Sequence, residues 1–150
     1  AATKRRVSIW IPAIDIVEEN WLNGIGPRGF RYQFLKSADS DNFWMKREPP
    51  CVTHPHLHVL EVATETGAIG LFGYLLFFVM LIRLLRRSWM TASTLAPVLA
   101  CSLVSLFPLN AHLAFYGSFW SSICWWLVFL CLAIHQGDAS GKARKISNAG

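Results

Sequence analysis

Gly67-Ala-Ile-Gly70-Leu-Phe-Gly73-Tyr-Leu-Leu-Phe-Phe-Val-Met-Leu-Ile82 runs for sixteen residues without a charge, and Arg83, Arg86 and Arg87 close it. A helix that spans a bilayer needs about 20 apolar residues. Leu84 and Leu85 lengthen the run, and the Arg83 side chain can snorkel to the headgroups. The stretch therefore predicts a membrane span over residues 67–85. Downstream, Ser88 to Gly137 holds no Asp, Glu, Lys or Arg, which leaves room for two more spans about a turn at Phe107-Pro108-Leu109-Asn110. The sequence thus predicts an all-α membrane protein with three C-terminal transmembrane helices, at 67–85, 89–107 and 117–135. Residues 137–150, small, polar and basic, read as a disordered cytoplasmic tail.

Composition agrees with a membrane chain. Of 150 residues, 53% are apolar and 15% charged, where soluble domains carry about 25% charged residues. These figures exclude a disordered chain, a collagen-like repeat and a soluble nucleic-acid-binding domain. The net charge of +5 is unevenly spread: residues 1–65 balance eight Lys/Arg against eight Asp/Glu, while residues 66–150 set six positives against Asp138 alone. Cytoplasmic loops concentrate Lys and Arg. Arg83, Arg86 and Arg87 therefore mark one cytoplasmic loop, and Lys142, Arg144 and Lys145 a cytoplasmic tail, which puts residues 1–66 outside the cytoplasm. The Lys4-Arg5-Arg6 cluster points the other way, but reversing the chain would export six basic residues to retain three. The four cysteines (Cys51, Cys101, Cys124, Cys131) are too sparse for a disulfide scaffold. The Ala-Ala-Thr-Lys start, with no signal peptide, suggests a piece of a larger protein.

Residues 1–66 read as an extracytoplasmic loop with short helices. Val7, Trp10, Ile14, Val17 and Trp21 recur at helical spacing over 7–22, with Pro12 in the first turn and Gly24 as the stop. Residues 24–53 read as loop, and 54–66 as a short helix with Thr53 as N-cap and Pro55 in its first turn.

The densest polar cluster is Cys51-Val-Thr-His54-Pro-His56-Leu-His58. Cysteine and histidine together suggest zinc, but zinc ligands are usually paired across a longer loop, and Pro55 breaks the alternation a strand would give. A set of partly solvated histidines is the plainer alternative. A third reading makes one histidine a base. In the first turn of a helix, His56 would face unpaired N–H groups and the positive dipole end, a field that favours neutral imidazole and attracts an anion.

Gly24-Ile-Gly26-Pro-Arg28-Gly29-Phe30-Arg31 adds two guanidinium groups in a glycine-rich turn. Such a turn lets backbone approach a ligand, and Arg can clamp phosphate oxygens in pairs, although a solvated loop with two surface arginines has the same composition. It is no nucleotide-binding loop, since the third Gly and a preceding strand are missing. Gly67, Gly70 and Gly73 read as a face for close helix packing. Glu61 and Glu65, one turn apart, read as solvated or dipole partners at the membrane edge, and His112, His135 and the tryptophans near span ends as interfacial residues.

The run His54-Pro-His56-Leu-His58-Val-Leu-Glu61-Val-Ala-Thr-Glu65-Thr-Gly67-Ala-Ile-Gly70 resembles the hallmark of the O-antigen ligase and polymerase superfamily. There a His, a small polar residue, nine further residues and Gly-x-x-Gly lead into a transmembrane helix. His56, Gly67 and Gly70 fit that spacing, with Leu57 standing where the family commonly has Asn, Ser or Gln. Arg6-x-x-x-Trp10, the Gly24–Arg31 stretch and Phe107-Pro108-Leu109 are similar to further family elements in the same order, so the resemblance covers about residues 5–135.

The resemblance implies the C-terminal portion of a larger multi-spanning, glycosyltransferase-like protein of the bacterial inner membrane, with residues 1–66 in the periplasm. It implies transfer of a glycan from undecaprenyl diphosphate to a sugar hydroxyl, such as lipid A core, in lipopolysaccharide or surface polysaccharide biosynthesis, without metal, ATP or other cofactor. The residues it nominates are His56 as base and Arg28, Arg31 and Arg6 on the diphosphate. A polysaccharide polymerase, a protein O-glycosyltransferase and a non-catalytic membrane or transporter subunit are the alternatives. A transporter more often carries an ionisable residue mid-span.

Overall fold

The computed structural model describes residues 2–46, 52–91, 93–111 and 114–147. They form five helices and no strand: α1 (Ala2–Glu19), α2 (Phe30–Ser37), α3 (His58–Met90), α4 (Ala96–Ser105) and α5 (Ser118–Ser147). Two stretches, His58–Met90 and Ser118–Gly137, are long and apolar enough to cross a membrane. Only 11% and 6% of their most apolar windows are buried, whereas the core helix of a soluble protein is mostly covered. Phe72, Leu76, Trp126 and Phe129 point away from the rest of the chain, as side chains do that meet lipid.

The expected span at 89–107 is not one continuous helix. α4 has 10 residues, about 15 Å at about 1.5 Å per residue, against a hydrocarbon core of about 30 Å. Pro97, in the first turn of α4, is the physical reason, because a proline there starts a helix and does not continue one from residues upstream. The connection nevertheless retraces α3. Ser93 N–H bonds the Ser88 carbonyl at one end, and the carbonyls of Asn110 and Pro108 take the N–H groups of His58 and Val59 at the other, at 3.0 and 2.9 Å. Between them Tyr74 donates its hydroxyl to the Leu106 carbonyl at 2.5 Å. Leu81, Leu95, Leu99, Leu106 and Cys124 form the core of this half. α5 continues through Ser147, so residues 137–147, read as disordered tail, are helical. Ala139, Lys142, Ala143, Arg144 and Lys145 favour that extension.

α1 and α2 form a second core against the start of α3. Ile9, Ala13 and Ile16, spaced four and three apart, pack with Phe30, Phe34 and Val52. Of the expected stripe, Val7, Ile14 and Trp21 are exposed. α1 is apolar on more than one side, and the small Ala13 marks the side that takes the phenylalanines.

Pro12 lies inside α1 and not in its first turn. A proline there leaves the carbonyl four residues earlier without its helical donor. Asn42 fills that gap, its side-chain amide donating to the Ser8 carbonyl at 2.6 Å, and Trp44 donates its indole N–H to Arg5 O at 2.9 Å. α2 interrupts the expected loop at 24–53. Its eight residues bury only Phe30 and Phe34, a face too brief to show as periodicity.

Candidate functional site

α3 breaks at Gly67, where φ is 62° and ψ is −161°, a backbone region open almost only to glycine. In an unbroken helix Ala68 N–H would reach the Thr64 carbonyl, and Ile69 N–H that of Glu65. Instead those carbonyls accept N–H groups of Ile25 and Gly26 at 3.0 and 2.9 Å, while Ala68 and Ile69 donate to Trp21 and Leu22 at 2.7 and 3.3 Å. Segment 21–26 is thus stitched into the break and satisfies both half-helix ends. A Cβ on Gly67 would collide with Leu22 and Gly24, and one on Gly24 with the backbone of Glu65 and Thr66. A Cβ on Gly70 would strike the Thr66 side chain, but Gly73 meets nothing within 4 Å. The three glycines are therefore not a common packing face: Gly67 makes the break and Gly70 seats Thr66.

The stitch brings the arginine turn to the break. Glu65 Oε2 accepts the Arg28 N–H at 2.5 Å. One turn earlier, Glu61 accepts the N–H groups of Phe115 and Tyr116 at 2.9 and 3.2 Å. Both carboxyls are 1% exposed, which corrects the reading of them as solvated groups. Each gathers a loop.

The histidine segment lies ahead of α3. The N-cap is Leu57, with no side-chain cap bond, so Thr53 does not cap the helix and neither Pro55 nor His56 lies in its first turn. His56 has φ 55° and turns the chain before the helix begins. The first N–H groups of α3 are taken by Asn110 and Pro108, so no open helix end faces His56. Its imidazole is held neutral for other reasons: burial, then the charge of Arg6, push its pKa down. The His54 ring lies 4.0 Å from that of His56, centroid to centroid. Burial, followed by the charges of His56, His58 and Arg31, pushes His54 down to about 4. Trp10 donates its indole N–H to the Pro55 carbonyl at 3.0 Å and so anchors the segment to α1. His54 Nε2 and Arg31 Nε are buried with no hydrogen-bond partner among the described residues.

The arginine turn, the histidine segment and the Gly67 break lie within residues 2–75, and residues 2–75 match the O-antigen ligase family. That stretch, just under half of the chain, is similar to an O-antigen ligase domain. No curated protein and no solved structure matches the chain. The matched stretch takes in α1, α2, the histidine segment and the Gly67 break, together with the first turns of the apolar half of α3.

Within this matched stretch the four residues singled out from sequence are linked by charge and by backbone bonds. The charge of Arg6 reaches His56, whose ring lies tilted against that of His54. Arg31 acts on both His54 and Glu65, and Glu65 holds Arg28. Among the described residues, no three His, Cys, Asp or Glu are grouped to hold a metal ion; Cys51 and His112 lie outside them. Sequence reasoning missed His54, Glu65 and Asn42 as parts of the assembly. The signal for Glu65 was its place two residues before a glycine that breaks a helix, next to carbonyls the break would orphan.

Proposed function

We propose that this chain forms the catalytic edge of an O-antigen ligase that transfers a glycan from undecaprenyl diphosphate to a sugar hydroxyl on the periplasmic face of the bacterial inner membrane. The observation that carries the reading is a coincidence of strain and chemistry. Among the described residues only Arg28 and His56 have positive φ without being glycine, at 62° and 55°. Strained backbone of this kind gathers at functional sites, and these two residues are a nominated clamp and the nominated base.

In the proposed step, the acceptor hydroxyl oxygen attacks the anomeric carbon and gives its proton to the His56 imidazole. The bond from that carbon to the diphosphate oxygen breaks, and the electron pair leaves with undecaprenyl diphosphate. Configuration at the anomeric carbon inverts. Arg28 and Arg31, with Arg6 beside His56, stabilise charge on the departing diphosphate, so guanidinium groups supply the electrostatics. His54, pushed down to about 4, is too weak a base for neutral pH, where a catalytic pKa works best near the operating value. It serves as a neutral support for His56.

The membrane arrangement in this reading has α3 descending, the 93–110 connection returning beside it and α5 descending again, with residues 2–66 periplasmic. The bonds at both ends of the connection support that path. The deciding experiment is His56→Ala in the intact protein. Glycan transfer is expected to be lost while membrane insertion stays normal; transfer near the wild-type rate would refute the base assignment.

A further inference from the structure

We infer that Glu65 is a positioning residue, which fixes the arginine turn against the break in α3 by accepting the backbone N–H of Arg28. The inference rests on the proposed role of Arg28 and Arg31 as the diphosphate clamp. Three observations carry it. Glu65 is 1% exposed, so its carboxyl group is not exchanging its partners for water. Its Oε2 sits 2.5 Å from Arg28 N, so the side chain holds the residue of the turn whose φ is positive. Its own carbonyl accepts Gly26 N–H at 2.9 Å and that of Thr64 accepts Ile25 N–H at 3.0 Å, so the turn is tied to this residue by backbone as well as by side chain.

The consequence is a division of labour. Arg28 adopts a left-handed backbone conformation that a bulky residue does not hold unaided. The bond to Glu65 holds it and leaves the exposed guanidinium free for a ligand. Arg31, one residue beyond Phe30, follows from the same anchor through the first turn of α2. Glu65 touches neither substrate nor reacting atoms. Its effect belongs in donor recognition, because misplacing a clamp by about 1 Å weakens binding of the group it clamps.

The test is steady-state transfer by the intact protein in proteoliposomes, with undecaprenyl-diphosphate-linked glycan varied against saturating acceptor. Glu65→Gln keeps the size but loses one acceptor oxygen, and is expected to raise the donor KM about tenfold or more while kcat stays within about twofold. Glu61→Gln is the control: it removes an equally buried carboxyl that gathers the other loop, and it should leave the donor KM unmoved. An unchanged donor KM in Glu65→Gln, or an equal rise in both variants, overturns the inference. Should Glu65→Gln fail to fold, amide exchange of the wild-type protein decides: slow exchange at Arg28 supports the anchor, and exchange at open-loop rates overturns it. Arg28→Ala and Arg31→Ala separate the two ideas. If neither raises the donor KM, the clamp itself is wrong; if they do and Glu65→Gln does not, only the positioning role falls.

Discussion

Gly67→Ala is the sharpest perturbation of this fold. At φ 62° and ψ −161° a side chain costs about 1–3 kcal/mol in backbone strain alone. The new methyl group would also collide with Leu22 and Gly24, and pushing them away breaks the four backbone bonds that join 21–26 to the half-helices. At about 1 kcal/mol for each bond, the total approaches 5 kcal/mol or somewhat more. A whole domain is held by about 5–15 kcal/mol, so the cheaper response is to release the segment and keep the helices. Trypsin reports that release directly, because Arg28 and Arg31 lie in the turn that would come free. Cleavage there should accelerate at least about a hundredfold, and glycan transfer should fall with it. Gly73→Ala is the comparison: with nothing within 4 Å of its Cβ, it should gain about 0.5–1 kcal/mol of helix propensity and leave cleavage unchanged. A Gly67→Ala protein with wild-type trypsin resistance and wild-type transfer would refute the stitched break.

Two further outcomes follow from the half built on α1 and α2. His54 is pushed down to about 4 from an ordinary 6.5, so between those values the unfolded chain binds a proton that the native chain does not. Stability therefore falls as pH drops through that window, and thermal melts of His54→Asn should show a shallower loss between pH 6.5 and 4 than wild type. An identical slope would mean that His54 is not buried as described. Asn42→Ala should lower stability by about 1–2 kcal/mol by stripping the Ser8 carbonyl of its donor opposite Pro12, read as a lower melting temperature; no change would mean water replaces the amide without cost.

The all-α class and two apolar helices were legible because lipid-facing stretches must be long and uncharged, a signal that needs no tertiary context. The second expected span shows the limit of that reasoning. Hydropathy counts apolar residues but does not see that Pro97 starts a helix and interrupts one. α2 was hidden for a different reason, since Phe30 and Phe34 make a single contact pair inside a glycine-rich stretch. The candidate residues could be nominated by type and spacing, while their settings could not. Thr53 has the chemistry of a cap, yet the carbonyls of residues 108 and 110, some fifty positions away, cap α3 instead. That long-range cap also suits Leu57, which occupies the N-cap position with no side chain able to accept such a bond. Glu61 and Glu65 look like ordinary surface acids until the loops they hold are in place.

The fastening of 21–26 into α3 has a mechanical consequence. Four hydrogen bonds make the arginine turn and the apolar helix one rigid lever, with no hinge between them. A helix adjusts to bilayer thickness by tilting or shifting, and any such adjustment is passed on to the guanidinium groups as a change in their height above the lipid. Under the proposed transfer reaction, turnover should therefore respond to acyl-chain length in reconstituted vesicles, peaking where the hydrocarbon depth sets those groups level with the pyrophosphate of the proposed donor.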